Sequence, residues 1–385
     1  MKVPQFRPYV DMEEWKAIKP CFKENWITEG PQSKIFAEKL CKIIGCKYGV
    51  FANNGTLALY LGLRSIGVGP GDEVIVPSCT FIASGNAVLM TGATPIFCDI
   101  NKDDLQINIE DCHKLISRRT KAIMPVHLYG FAADMDKVMT FAKQYKIKVI
   151  EDAAQALGIK WNNKGCGSFG DVATFSFFAD KTITTGEGGF VCTNNEKTYT
   201  RLLYLRNQGR LNRGTFIHPE IGFNFRITDI QAAVGMKQLD KFDDIIKRKK
   251  EIYNQYCKNL SQYKDCIKIY SPKSEVSPHI PFRVILETKK NNAKNLMSFM
   301  EKKNIETRSF FYPLHKQPCF KQIILKQKRK FWRKKSKCLN AEHAYDNGVC
   351  LPSFVSLTND EINYVCDVIK EFYTEAYLQT DKNEI

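Results

Sequence analysis

Lys181 follows an apolar, aromatic and β-branched run, Val172 to Phe178, and precedes a turn that carries Gly186, Gly188 and Gly189. The run has the pattern of a short buried strand, and Gly-Phe-Val-Cys-Thr resumes that pattern beyond the turn. A lysine held between two buried strands is desolvated, which lowers the pKa of its amine. A neutral amine there can attack a carbonyl and form a Schiff base. The alternative is a solvated surface lysine, the commoner fate of any lysine taken at random. Asp152 ends another apolar run, Lys148 to Ile150 with Glu151 between. A carboxylate there either caps the next helix or stands as a fixed negative charge that keeps a cationic ring nitrogen protonated. Gln155 is a helix-surface amide or a donor to an oxygen on the same ring. Asn54-Gly55-Thr56 lies between a strand, Tyr48 to Ala52, and a helix, Leu57 to Leu63. That order leaves free N–H groups and a positive dipole end facing an anion, although Asn-Gly is also a common turn.

The elements that must position these residues alternate. Strands are expected at Glu73–Val76, Pro95–Asp99, Lys121–Val126 and Lys148–Ile150, besides those at 48–52, 172–178 and 189–193. Helices are expected over Ser33–Ile44, 57–63, after Phe81 and through Leu89, over Asn108–Ile116 and over Met135–Tyr145. Connections this long do not make hairpins, so the fold class is α/β with a mostly parallel sheet covered on both faces. In such sheets the polar residues beyond the strand C-termini line the ligand crevice. Here they are Asn54, Gly55, Thr56, Thr80, Phe81, His127, Asp152, Gln155, Ser176 and Lys181. Thr228 and Gln231 form a capping box that opens a long helix, Asp229 to about Leu260. It leads into a smaller C-terminal α/β domain with a strand at Phe282–Leu286, a helix at Asn292–Lys303, a strand-like run at Ser309–Leu314 and a final helix capped by Thr358. The expected division is 1–245 and 246–385, with residues 1–30 irregular.

The 385 residues suffice for two such cores. No stretch of 18 uncharged apolar residues occurs, and Met-Lys-Val-Pro-Gln-Phe-Arg lacks a signal-peptide core, so a cytoplasmic protein without membrane contact is expected. The fourteen cysteines show no Cys-x-x-Cys pair. They read as reduced core thiols, with no metal site. The formal charge of +16 is concentrated in Lys321 to Lys337, which contains no acidic residue. That tract is a solvated face, or it holds nucleic acid, a polyanionic surface or a phosphorylated small molecule.

Short motifs in a fixed order carry a resemblance: Trp26-Ile-Thr-Glu-Gly30, Asn54-Gly-Thr56, Gly71-Asp-Glu-Val-Ile-Val-Pro77, Thr80-Phe81, Pro125-Val-His-Leu-Tyr-Gly130, Glu151-Asp-Ala-Ala-Gln155, Ser176 to Lys181, Gly186-Glu-Gly-Gly189, Asn224-Phe-Arg226 and Gln231-Ala-Ala233. Over Trp26 to about Pro352 the chain resembles the DegT/DnrJ/StrS family of pyridoxal phosphate-dependent sugar aminotransferases, of fold type I. The resemblance implies that Lys181 forms the Schiff base with the cofactor and then shuttles a proton. It implies Asp152 at the pyridine nitrogen, Gln155 at the ring hydroxyl and Phe81 on the ring face. The phosphate would lie on the Gly55 and Thr56 amides and the Thr56 and Ser176 hydroxyls, with Asn224 reaching it from a second subunit of a homodimer. Thr28, Tyr312 and His315 match segments near the sugar, and Arg226 binds the donor carboxylate or supports the interface.

The implied reaction moves the amine of glutamate, which leaves as 2-oxoglutarate, through the pyridoxamine 5'-phosphate form. The acceptor is the 4-keto carbon of a dTDP- or GDP-linked 6-deoxyhexose, as in viosamine or perosamine formation. Lysine at 181 favours amination over dehydration, since dehydrating members carry histidine there. The alternatives are amination at carbon 3, dehydration, or a polyanion-binding protein on an inactive fold; nucleic acid is not the expected partner.

Overall fold

Every strand expected between residues 48 and 193 forms, and together they make one sheet. A computed structural model describes all residues except 211–213, 215, 273–276, 290–291, 324–335 and 381–385. The strands are β1 (Tyr48–Ala52), β2 (Glu73–Pro77), β3 (Thr94–Cys98), β4 (Thr120–Ile123), β5 (Lys148–Asp152), β8 (Val172–Ser176) and β9 (Gly189–Thr193). Their order across the sheet is β1-β9-β8-β5-β4-β2-β3. A small hairpin, β6 (Lys160–Trp161) with β7 (Lys164–Gly165), lies between β5 and β8 in the chain. All pairings in the large sheet are parallel except those of β9, which runs antiparallel to both β1 and β8. The reversal follows from the short turn at 177–188, which brings the chain straight back.

Strands this apolar need cover on both faces. Helices α3 (Gly55–Ser65), α4 (Ala83–Met90) and α7 (Glu196–Arg206) cover one side, with Leu59, Leu63, Val88 and Leu202 buried against Val74, Val76 and Val191. Helices α2 (Pro31–Ile44), α8 (Asp229–Asp240) and α9 (Phe242–Asn259) shelter Phe51, Phe175 and Phe190. Helices α5 (Ile109–Leu115) and α6 (Met135–Tyr145) bury Cys112, Val138 and Phe141 against Ile75, Ile123 and Val149.

A second, antiparallel sheet is made of β10 (Ile267–Ile269), β11 (Val284–Thr288), β12 (Arg308–Ser309) and β13 (Gly348–Leu351), in the order β10-β11-β13-β12. It packs with α10 (Ala293–Lys302), the final helix (Asn359–Thr380) and the later part of α9, burying Ile252, Leu286, Leu296, Val349 and Ile369. The helix Leu339–Asn347 bridges the sheets: Asp99, just beyond β3, accepts the Asn340 and Ala341 N–H groups at 3.0 Å.

Three local expectations are corrected. Residues 1–30 are not irregular: α1 (Met12–Lys23) starts at Asp11, whose side chain and that of Glu14 form a reciprocal capping box. Val3 pairs with Ile305, so the N-terminus joins the second core. The long helix from Asp229 is two helices broken at Lys241, where φ is −93° and ψ is 2°. The break turns Phe242 into the space that Gly158 leaves open. Only Arg308 and Ser309 pair as strand around the run at 309–314, because Pro313 and a 3₁₀ turn at Leu314–Lys316 end it. Most of the basic tract, 324–335, lies outside the described residues.

Candidate active site

The C-terminal ends of β1, β5 and β8 open on one cavity of about 420 Å³. Asn54, Gly55, Thr56, Phe81, Asp152, Gln155, Ser176 and Lys181 all line it. The sheet topology explains the convergence, since Asn54 and Asp152 come to one cavity only when β5 pairs with β8 and β9 returns beside them.

At one end sits an anion cup. Asn54 caps α3: its side chain accepts from Leu57 N–H at 3.0 Å, and its carbonyl accepts from Ala58 N–H at 3.0 Å. The Gly55 and Thr56 N–H groups at the helix start have no protein acceptor among the described residues, and with the helix dipole they face the cavity. Glycine is required at 55, because a Cβ there would meet the Ser176 Cβ at 2.9 Å and its Oγ at 3.1 Å. The two hydroxyls of Ser176 and Thr56 complete the cup.

Asp152, also on the cavity wall, is 5% exposed. Its Oδ2 accepts from Ser84 Oγ at 2.7 Å and its Oδ1 from Ala154 N–H at 3.2 Å. Burial raises its pKa above the usual carboxylate value, and the Ser84 and Ala154 donors, with the Lys181 charge, oppose that rise. Gln155 Oε1 accepts from Tyr129 N–H at 2.6 Å, which leaves its Nε2 hydrogens as donors. Phe81 is 56% exposed and stands at the mouth, edge-on to Phe311.

Lys181 lines the same cavity from a cross-braced turn. Thr184 Oγ1 donates to Phe177 O at 3.0 Å, Thr185 Oγ1 donates to Glu187 O at 2.6 Å, and Gly186 adopts a φ of +79°. Burial lowers the pKa of the Lys181 amine, opposed by the charge of Asp180, whose Oδ1 is 3.3 Å from Nζ. An anion cup, a buried carboxylate and a desolvated amine fit pyridoxal phosphate: a phosphate ester, a ring nitrogen and an aldehyde each meet a complementary group.

Five site candidates, and His127 with them, do not line this chain's own cavity. Asn224 Oδ1 accepts from Arg226 Nε at 2.7 Å, and Arg226 O accepts from Asn53 Nδ2. Thr28 O accepts from Asp229 N–H in a loop that Glu29 ties to Arg206. Tyr312 stands 39% exposed with its ring edge-on to Tyr345. His315 is engaged on both sides, Nδ1 2.7 Å from Ser78 Oγ and Nε2 2.9 Å from Glu342. His127, although at a strand end, is fully buried; Ala133 N–H donates to its Nδ1 and Glu151 takes its Nε2 side.

Sequence reasoning missed Ser84, Asp180 and Arg283. Arg283 was detectable as the lone charge in an apolar run, Ile280 to Leu286.

The fold and cavity define a fold-type-I, pyridoxal phosphate-dependent aminotransferase. Residues 8–370 match the DegT/DnrJ/EryC1/StrS aminotransferase family, and the chain belongs to that family as a sugar aminotransferase. It is 39% identical to a GDP-perosamine synthase of Escherichia coli O157:H7, covering 97% of this chain and 99% of the relative. A GDP-perosamine synthase of Vibrio cholerae is 34% identical, covering 96% and 99%. A UDP-N-acetyl-3-dehydro-alpha-D-glucosamine 3-aminotransferase of Acidithiobacillus ferrooxidans is 33% identical, covering 89% and 88%. Among solved structures, a putative sugar aminotransferase of Streptococcus pneumoniae in its PMP form superposes with a TM-score of 0.90 at 25% identity, covering 99% of this chain and 100% of that one. Family and site together displace the alternative of a polyanion-binding protein on an inactive fold. No helix among the described residues is long and apolar enough to cross a membrane.

Proposed function

We propose that this chain transfers the amino group of glutamate to the 4-keto carbon of a GDP-linked 4-keto-6-deoxyhexose, acting in the cytosol as a homodimer. The observation that carries the reading is Lys181: a desolvated amine at the wall of a cavity whose other walls match the cofactor. The likeness to the two GDP-perosamine synthases supports the position of amination and the nucleotide.

Bound pyridoxal phosphate supplies an aldehyde that accepts an amine and a ring that draws off the electron pair of a deprotonated carbon. The protein's part is positioning and proton transfer. Asp152 would hold a proton on the ring nitrogen, because a carboxylate desolvated this deeply needs a positive neighbour. Gln155 Nε2 would donate to the ring hydroxyl, and Phe81 would cover one ring face. Lys181 Nζ would bond the cofactor's aldehyde at rest and, when free, would move a proton from the donor's α-carbon to the carbon on the cofactor side. The amines of donor and product pass through the same site, so the two substrates alternate.

Asn224 belongs, in this reading, to the cup of the opposite subunit, since it lies outside its own. Exposed Met12, Trp15, Phe22, Trp26 and Ile27 offer an apolar surface suited to a second copy. Thr28, Tyr312, His315 and Arg226 belong at the sugar or donor side of that shared site.

The test is incubation with glutamate and a panel of dTDP-, UDP- and GDP-linked keto sugars, with the product read by mass and NMR. An amine on carbon 4 of the GDP sugar is expected. A second reading, amination at carbon 3, is favoured by the likeness to the 3-aminotransferase; an amine on carbon 3 would establish it. Recovery of a deoxygenated sugar without nitrogen would end both.

A further inference from the structure

Three cations surround one aromatic ring on the cavity wall. The Phe282 ring centroid is 4.6 Å from Lys181 Nζ, 4.8 Å from Arg283 Cζ and 6.0 Å from Lys249 Nζ. Lys249 and Arg283 are 5% and 6% exposed. The carboxylate set among them is Asp180. Its Oδ2 accepts from Arg283 Nη2 at 2.7 Å, an ion pair that joins the turn after β8 to the start of β11. Its Oδ1 is buried and makes no hydrogen bond, yet lies 3.3 Å from Lys181 Nζ.

A catalytic amine that is released from its cofactor in every cycle needs somewhere to go. Asp152 is not that place, because its carboxylate is committed to the ring nitrogen and, among the described residues, the ion pair of Lys181 is with Asp180. Glu187, also on the cavity wall, makes no ion pair with Lys181 among the described residues. Asp180 has one oxygen fixed by Arg283 and the other open toward Nζ.

We propose that Asp180, clamped by Arg283, is a positioning residue that receives the Lys181 ammonium whenever the amine is not bonded to the cofactor. The small sheet thereby orients the catalytic amine and sets how readily it holds a proton. The idea rests on the reading of Lys181 as the cofactor-bonding amine.

The groups facing Lys181 are Asp152, Asp180, Arg283 and Lys249. Burial depresses its proton affinity most, Asp180 restores part of it, and Arg283 opposes Asp180 to a lesser degree. Replacing Asp180 by asparagine therefore makes the amine more often neutral.

The experiment uses the full chain in its pyridoxamine phosphate form, in which Lys181 is free. Trace labelling with acetic anhydride between about pH 6 and 10, followed by peptide mass spectrometry, reads the neutral fraction of Lys181. Asp180→Asn is expected to label Lys181 about threefold or more faster on the acid side of the profile, and Asp180→Glu to return it toward wild type. An uncharged amide in place of the carboxylate leaves Arg283 buried without its partner, so Asp180→Asn combined with Arg283→Met serves if the single variant does not fold. The double variant still labels faster, by a smaller factor, because Asp180 outweighs Arg283. Labelling profiles that superpose on wild type in the folded variant, single or double, overturn the proposal. Borohydride reduction of the pyridoxal phosphate form tests the parent reading separately: the cofactor is trapped on Lys181 whether or not Asp180 is present.

Discussion

Ser84 Oγ donates to Asp152 Oδ2 at 2.7 Å, across 68 residues of sequence and inside the core. Burial works against the ionised form of Asp152, and this bond works for it. Ser84→Ala should therefore raise the Asp152 pKa further and protonate the carboxyl at higher pH. The acid limb of kcat/KM is expected to move upward, with a loss of about tenfold at neutral pH. An unchanged pH profile would reduce Ser84 to a support for helix α4.

Gly55 gives a sharper test of the cup. A methyl group there meets the Ser176 Cβ at 2.9 Å, a contact that forces α3 and β8 apart. Gly55→Ala is expected to weaken pyridoxal phosphate binding by about tenfold or more, at a stability cost of about 1–3 kcal/mol. Titration of the bound cofactor's absorbance measures the first and urea unfolding the second. Normal affinity would move the phosphate away from the start of α3.

Lys249 adds a stability signature. Burial brings its pKa from 10.5 to about 7. The folded protein thus holds fewer protons than the unfolded chain between those values, so stability rises with pH across that window and the full cost stands below it. Lys249→Met should stabilise the protein by on the order of 2–4 kcal/mol at about pH 6, with the gain shrinking toward about pH 10. Urea melts at the two ends of that range decide it; equal gains at both would show that Lys249 does not titrate there.

A shared site predicts complementation. Lys181→Ala lacks the amine and Asn224→Ala lacks the residue we propose to be supplied across the interface. Mixed in equal amounts and allowed to exchange subunits, the two inactive variants are expected to recover about a quarter of wild-type activity, since half the dimers carry one intact site of two. No recovery, with mixed dimers demonstrated by mass, would place Asn224 in its own subunit's site.

The strands, their alternation with helices and the residues at their ends were legible because each is a local pattern. Apolar runs of four to seven residues specify buried strands, and Asn54-Gly55-Thr56 specifies a helix start. The helix over Met12–Lys23 had a signal too, the Asp11–Glu14 capping box, while the break at Lys241 had none of its own. That break depends on Phe242 finding room against Gly158, far earlier in the chain.

By itself the sequence determined the α/β alternation and the cavity residues at the strand ends, Lys181 among them, because strand periodicity and turn residues act over a few positions. Only tertiary structure decided what each charge faces. Ser84 reaches Asp152, and Arg283 reaches Asp180 across 103 residues, through the order in which strands and domains assemble. Charges buried in a low-dielectric interior are governed by their nearest neighbours in space, and no local pattern encodes those neighbours.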